Sequence, residues 1–173
     1  MNKLRSFALP VVLVVAIMSG TLPQPACDGK KALSESAEAA KDIGGGTRDA
    51  IKAVRQAWEQ KLITTEQKDK FADLLGAIAR GGQKGVAAID ALEKSGVTEL
   101  TADHRAQLDT LFSDGVITPF LEMITEIAKL SPTSSVAIRA AIATLRTAIL
   151  LLSQKVGRND VEKMILQREL QYA

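Results

Sequence analysis

From residue 33 onward, apolar side chains recur every three to four positions. The first row is Leu33, Ala37, Ala40, Gly44, Thr47, Ile51, Val54 and Trp58. Its period near 3.5 places these residues along one side of an α-helix, small in the first half and bulky in the second. A second row runs Phe71, Leu74, Leu75, Ile78, Gly82, Gly85, Val86, Ile89 and Leu92. Thr64 and Gln67 precede it with the three-residue spacing of a capping box, and Gly96 follows it as a stop.

The pattern continues in shorter pieces. Thr101 stands ready to cap a helix carrying Leu108, Leu111 and Phe112. Residues 113–119, SDGVITP, are expected to stop or kink it, with Gly115 as a C-terminal cap and Thr118–Pro119 as an N-cap and first-turn pair for a helix bearing Phe120, Leu121, Ile124, Ile127 and Ala128. Val54, Trp58, Leu62, Ile63 and Thr64 echo Leu108, Phe112, Val116, Ile117 and Thr118 at a constant offset, a faint trace of a duplicated hairpin. Ser131–Pro132 then opens one long last helix with the seam Ile138, Ile142, Leu145, Ile149, Leu152 and Val156, closed by Gly157. Asn159 and Glu162 are spaced to cap a short final helix with Val161, Met164 and Ile165 on its apolar side. No segment alternates apolar and polar residues as a half-buried strand does.

Three glycines fall on the stripes. Gly44 lies on the first row, Gly82 and Gly85 on the second. Each glycine inside a helix costs about 1 kcal/mol relative to alanine, so at Gly44–Gly45–Gly46 either the helix breaks or the bare backbone lets a neighbour approach closely. In the second case two antiparallel helices meet through glycine faces near their middles. The stretch RGGQKG, residues 80–85, follows no strand and fits no glycine-rich nucleotide fingerprint.

Composition supports a helical reading. Aromatics are only 3% of 173 residues and hydrophobic residues 46%; alanine and straight-chain side chains favour helices over sheets. The expectation is an all-α fold, a bundle of about four to six helices built from antiparallel hairpins. The formal charge is +2, and Lys3 and Arg5 account for it. Charges of both signs alternate elsewhere, so no basic patch points to nucleic acid.

The N-terminus has a different character. Lys3 and Arg5 precede an apolar run from Phe7 to Met18, and small and polar residues follow through Ala26. This is the layout of a secretory signal peptide, with an apolar stretch short for a membrane span. Ala26–Cys27 adds a small residue before the single cysteine of the chain, although Gln24 stands where leucine is usual and Pro25 is atypical. Residues 1–27 resemble the signal of a bacterial lipoprotein precursor. The resemblance implies cleavage before Cys27, lipid attachment to its sulfur, and anchoring to a membrane of the cell envelope. On this reading residues 1–26 are the signal peptide, 27–36 a polar tether and 37–173 the bundle domain. A lone cysteine in an oxidising compartment has no intramolecular disulfide partner, which agrees with a lipidated sulfur.

Chemistry-bearing constellations are sparse. One histidine, His104, and one cysteine fall short of the common zinc patterns. Glu122 and Glu126 share a helix face without the Glu-x-x-His that di-iron bundles require. No catalytic residue, cofactor or metal is expected, and the chain is read as not an enzyme. Residues 136–156 are long enough to cross a bilayer, about 32 Å as a helix. Their nine Val, Ile and Leu side chains contribute roughly −3 to −5 kcal/mol to insertion, while Arg146 opposes it by about 2.5–3.5 kcal/mol. The near-cancellation and one-sided seam favour packing in water. Leu150 and Leu151 fall off that seam and are candidate contacts for a partner or a membrane. The leading expectation is an exported, lipid-anchored bundle with a structural or protein-interaction role, its partner another protein or a second copy. The alternatives are a bundle that holds an apolar ligand or lipid between its helices, and a membrane-active protein working through residues 136–156.

Overall fold

The computed structural model describes residues 29–97 and 100–171, with side chains from Leu33 onward. The leader and Cys27 lie outside the described residues. Seven α-helices follow in order: α1 (Gly29–Glu59), α2 (Thr65–Lys94), α3 (Ala102–Phe112), α4 (Thr118–Ala128), α5 (Pro132–Ala141), α6 (Ala143–Lys155) and α7 (Val161–Gln171). A π-turn, Ser113–Ile117, joins α3 to α4. α5 and α6 form a pair bent by 52°. The rods are therefore five, and no strand occurs among the described residues. The all-α bundle matches the periodicity of the sequence.

α1 and α2 make the central hairpin. α5 and α6 cover α1, the α3–α4 rod covers α2, and α7 closes the gap between α4 and α6. One apolar core runs through the interfaces, with Phe71, Phe112, Phe120, Leu75, Ile78 and Met123 almost wholly buried. Fully burying a side chain of this size stabilises a fold by about 1.5–3 kcal/mol.

The buried residues of α1 include Leu33, Ser36, Ala37, Ala40, Ile43, Thr47, Ala50, Val54 and Ala57. Leu33, Ala37, Ala40, Thr47 and Val54 belong to the expected stripe, while Gly44, Ile51 and Trp58 give way to Ile43, Ala50 and Ala57. Ile51 and Trp58 are 42% and 37% exposed, while Ala50 and Ala57 face the core. α1 is clasped from two sides, and alanine admits neighbouring helices more closely than isoleucine or tryptophan would. The expected tether also changes character: from Gly29 the chain is helical, with Leu33 and Ser36 buried.

Helix ends follow local chemistry. Thr64 Oγ1 accepts the Gln67 N–H at 3.2 Å and Gln67 Oε1 accepts the Thr64 N–H at 2.8 Å, the reciprocal box that the sequence spells. Thr101 caps α3, and His104 Nδ1 accepts its N–H at 3.4 Å. Gly96 and Gly157 end α2 and α6 with φ of 79° and 87°. In each, the following residue's N–H reaches five residues back (Val97 to Leu92, Arg158 to Ser153), satisfying carbonyls that would otherwise face no donor. α7 begins one residue later than Asn159 would place it: the Asp160 carbonyl accepts the first helical bond, from Met164 N–H at 3.0 Å.

Two sequence expectations are corrected here. Gly115 does not cap α3, nor does Thr118 cap α4. Thr118 keeps helical angles, φ −59° and ψ −51°, and its N–H donates to the Ser113 carbonyl five residues back. Pro119 lacks the N–H that an α-turn needs, and the wider π-turn absorbs that defect without leaving the helix. The proposed echo therefore does not correspond to repeated structure, since Thr64 opens a helix and Thr118 sits inside one. The last long helix is likewise two. Ile142, with φ −91° and ψ 1°, breaks it. A straight helix diverges from its neighbour after a few turns; bending at Ile142 keeps Ile138 on one side and Leu145 and Ile149 on the other in the core.

Candidate functional site

The glycines were the sequence's strongest pointer to close contact. Gly82 does meet α1: a Cβ there would stand 3.2 Å from Ile43 Cγ2 and 3.6 Å from the Ala40 carbonyl. Gly85 instead faces the ring of Phe112 on α3, which occupies the space a side chain would need. Gly44 meets nothing within 4 Å and is not a contact point. Its neighbour Gly46 is, with Leu145 Cα of α6 2.9 Å from where a Cβ would stand. Gly81 and Gly115 press backbone against backbone between α2 and the π-turn. The stripes identify Gly82 and Gly85, and they miss Gly46, Gly81 and Gly115. These three lay off the α2 stripe, on the wrong phase of α1, or in a presumed loop.

Two charged clusters tie elements together. Arg158, in the α6–α7 turn, donates from Nε and Nη2 to the two carboxylate oxygens of Asp160, at 2.9 and 2.8 Å. Its Nη1 reaches Ser113 Oγ at 2.6 Å and Asp109 Oδ1 at 3.4 Å, so one guanidinium links α3, the π-turn and the start of α7. Asp160 and Asp109 raise the Arg158 pKa, and Arg158 in turn lowers that of Asp160. The cluster edges an open depression of about 470 Å³ that also includes Arg105 and Val156.

On the other side, Glu126 of α4 lies between Lys129, at 2.8 Å, and Lys70 of α2, at 3.0 Å. Its side chain is only 16% exposed. The hydrogen bond from Lys129 and then that from Lys70 hold its carboxyl below the usual carboxylate range. Glu126 raises the Lys70 pKa. Lys70, Glu66, Asp69, Asp73 and Glu122 border an open depression of about 710 Å³.

Of the candidate partner contacts, Leu150 is half-buried against the core and Leu151 is 45% exposed. Trp58, expected in the core, sits on the surface. Its Nε1 donates to Thr65 Oγ1 at 3.2 Å, and the Lys68 ammonium stands 4.7 Å from its ring centroid, which fixes the turn between α1 and α2. His104 serves as the capping partner described above.

No family model, curated protein or solved structure matches this chain.

The chemistry of the described residues follows from these contacts alone. Every perturbed titrating group is pushed further into its charged form: the carboxylates downward, the lysine and arginine upward. Groups tuned this way act as ion pairs; a proton-transfer residue is tuned towards neutral pH instead. No cluster of three or more His, Cys, Asp or Glu positioned for a metal occurs among the described residues. No single described helix is long and apolar enough to cross a membrane. The described residues form a capped helical bundle whose elements are tied at the surface by the Arg158 and Glu126 clusters.

Proposed function

We propose that the protein is exported and held at a bacterial cell envelope through Cys27, and that its helical bundle acts there by contact with another protein or a second copy of itself. The observation that carries this reading is the layout of residues 1–27: a basic start, a short apolar run, and a small residue directly before the chain's single cysteine. The early start of α1 supports it. With helix from Gly29 onward, an anchor on Cys27 joins a folded domain almost directly. The ion-paired character of the perturbed charged groups supports a contact role over a chemical one.

The test is the mass of the mature N-terminus in protein recovered from cells. The expected species begins at Cys27 and carries the added mass of acyl chains. More than one chain is expected, because a single acyl chain gives only marginal membrane attachment. A chain beginning at Met1, or one cleaved elsewhere with an unmodified thiol, overturns the anchor. Light scattering over a range of concentrations, with crosslinking in cells, tests the contact role. A strict monomer that crosslinks to nothing overturns it.

A further inference from the structure

The outer face of α5 and α6 differs from the rest of the surface. α5 exposes Pro132, Thr133, Val136, Ala137 and Ala140; α6 exposes Ala143, Thr144, Thr147, Leu151, Gln154 and Lys155. Only Lys155, in the last turn, is charged. By contrast α1 exposes Glu38, Lys41, Asp42, Arg48, Asp49 and Lys52, among others, in a chain where 24% of residues are charged. The three cations of this helix pair are each held by a carboxylate from elsewhere. Arg139 and Arg146 both reach Glu169 of α7, at 3.8 and 3.3 Å, and Lys155 pairs with Glu35 of α1. Leu166 and Leu170 stand exposed on α7, one turn before and one residue after Glu169.

The Lys155–Glu35 pair also locates this face. It sets the end of α6 beside the first turns of α1, and Cys27 precedes the start of α1 by two residues. Leu151 lies one turn before Lys155 on the same side of α6. The first turns of α1 and this sparsely charged face therefore share an edge of the bundle.

We propose that the sparsely charged outer face of α5 and α6 rests on the bilayer surface beside the anchor; this rests on the reading of Cys27 as the lipid-bearing residue. A surface of alanine, threonine and scattered aliphatic side chains loses little on leaving water, and its few cations already have carboxylate partners. The acyl chains supply the attachment, and the face sets the orientation that the attached domain adopts. The helix pair lies on the membrane and does not span it. Its opposite side, from Ile138 through Leu145 and Ile149 to Val156, is already buried in the bundle core.

The experiment places one environment-sensitive fluorophore at a time on the acylated full chain, through Ala140→Cys, Thr147→Cys or, as a control on α1, Lys52→Cys. Acylated Cys27 does not react with the label. On phosphatidylglycerol–phosphatidylcholine vesicles the probes at 140 and 147 should shift to the blue, and iodide should quench them several-fold less than the probe at 52. The intact mass of each sample reports acylation separately. An acylated chain whose probes at 140 and 147 remain as quenchable as the probe at 52 overturns this inference and leaves the anchor standing. A chain without acyl mass that does not bind vesicles overturns both. Protection of 140 and 147 without vesicles, increasing with protein concentration, overturns it in favour of a second copy on this face.

Discussion

Gly81 and Gly115 pack backbone to backbone: a Cβ on Gly115 would stand 2.9 Å from Gly81 Cα, and one on Gly81 would collide with the Gly115 carbonyl. Neither partner is a flexible side-chain end that yields. Alanine raises helix propensity by about 1 kcal/mol over glycine, but overpacking a fixed contact costs about 1–3 kcal/mol, and backbone against backbone belongs at the upper end of that range. Gly81→Ala is therefore expected to destabilise the protein by about 1–2 kcal/mol net. Urea unfolding followed by circular dichroism measures this, and a stabilised variant would show that the contact is looser than described.

The opposite outcome is expected in the middle of α1, at two half-buried glycines. Gly44 and Gly45 meet nothing within 4 Å and lie in the middle of a long helix with ordinary helical angles. Replacing either with alanine restricts the unfolded chain and adds no clash, so each change should stabilise by about 0.5–1 kcal/mol. Because the two sites are neighbours on a free surface, the double substitution should stabilise by nearly the sum. The same denaturant titration decides this.

The contrast between those glycine pairs shows what was legible in the sequence. Features set by a few consecutive residues were readable: the Thr64–Gln67 box, the stops at Gly96 and Gly157, and the apolar row of α2. Features set by a neighbour's shape were not. The α1 stripe was right at Leu33, Ala37, Ala40, Thr47 and Val54 and wrong at Gly44, Ile51 and Trp58. Apolarity favoured isoleucine and tryptophan, while a helix clasped by two others needs the small Ala50 and Ala57 inside. The bend at Ile142 had no Gly or Pro to announce it, because it serves two packing surfaces at once. The sparsely charged face of α5 and α6 left only Leu151 as a sign. Alanine and threonine are unremarkable until the ion pairs of Arg139, Arg146 and Lys155 to other helices are seen.

Lys61 ends α1 in the left-handed region, with φ of 59°, and is the only described residue other than glycine with positive φ. Its N–H reaches the Trp58 carbonyl, and the next N–H, of Leu62, reaches Ala57, both at 2.9 Å. This is the same closing pattern that glycine provides at Gly96 and Gly157. A side chain in this conformation costs about 1–2 kcal/mol, while glycine adds unfolded-state entropy worth up to about 1 kcal/mol. Lys61→Gly should therefore stabilise by about 0.5–1 kcal/mol. Lys61→Val, β-branched at the same angles, should destabilise by at least as much. Thermal unfolding of the two variants side by side gives the comparison.

Glu126 supplies a pH dependence whose direction follows from its contacts. Its carboxyl is held below the ordinary range, chiefly by the hydrogen bond from Lys129 and then by that from Lys70, against the opposing effect of partial burial. The folded state therefore binds this proton more weakly than the unfolded state, whose carboxyl titrates at about 4.3. The stabilisation is fully present above that value and disappears as pH falls through the lower, folded-state value. Partly exposed pairs of this kind contribute about 0.2–1 kcal/mol each, so Glu126→Gln, which removes two, should cost up to about 2 kcal/mol at pH 7. The cost should shrink as pH falls through the lowered folded-state value, where the wild-type carboxylate is itself protonated. Urea unfolding at pH 7, 5 and 3 tests this. An equal deficit at all three values would mean that Glu126 acts through packing instead of charge.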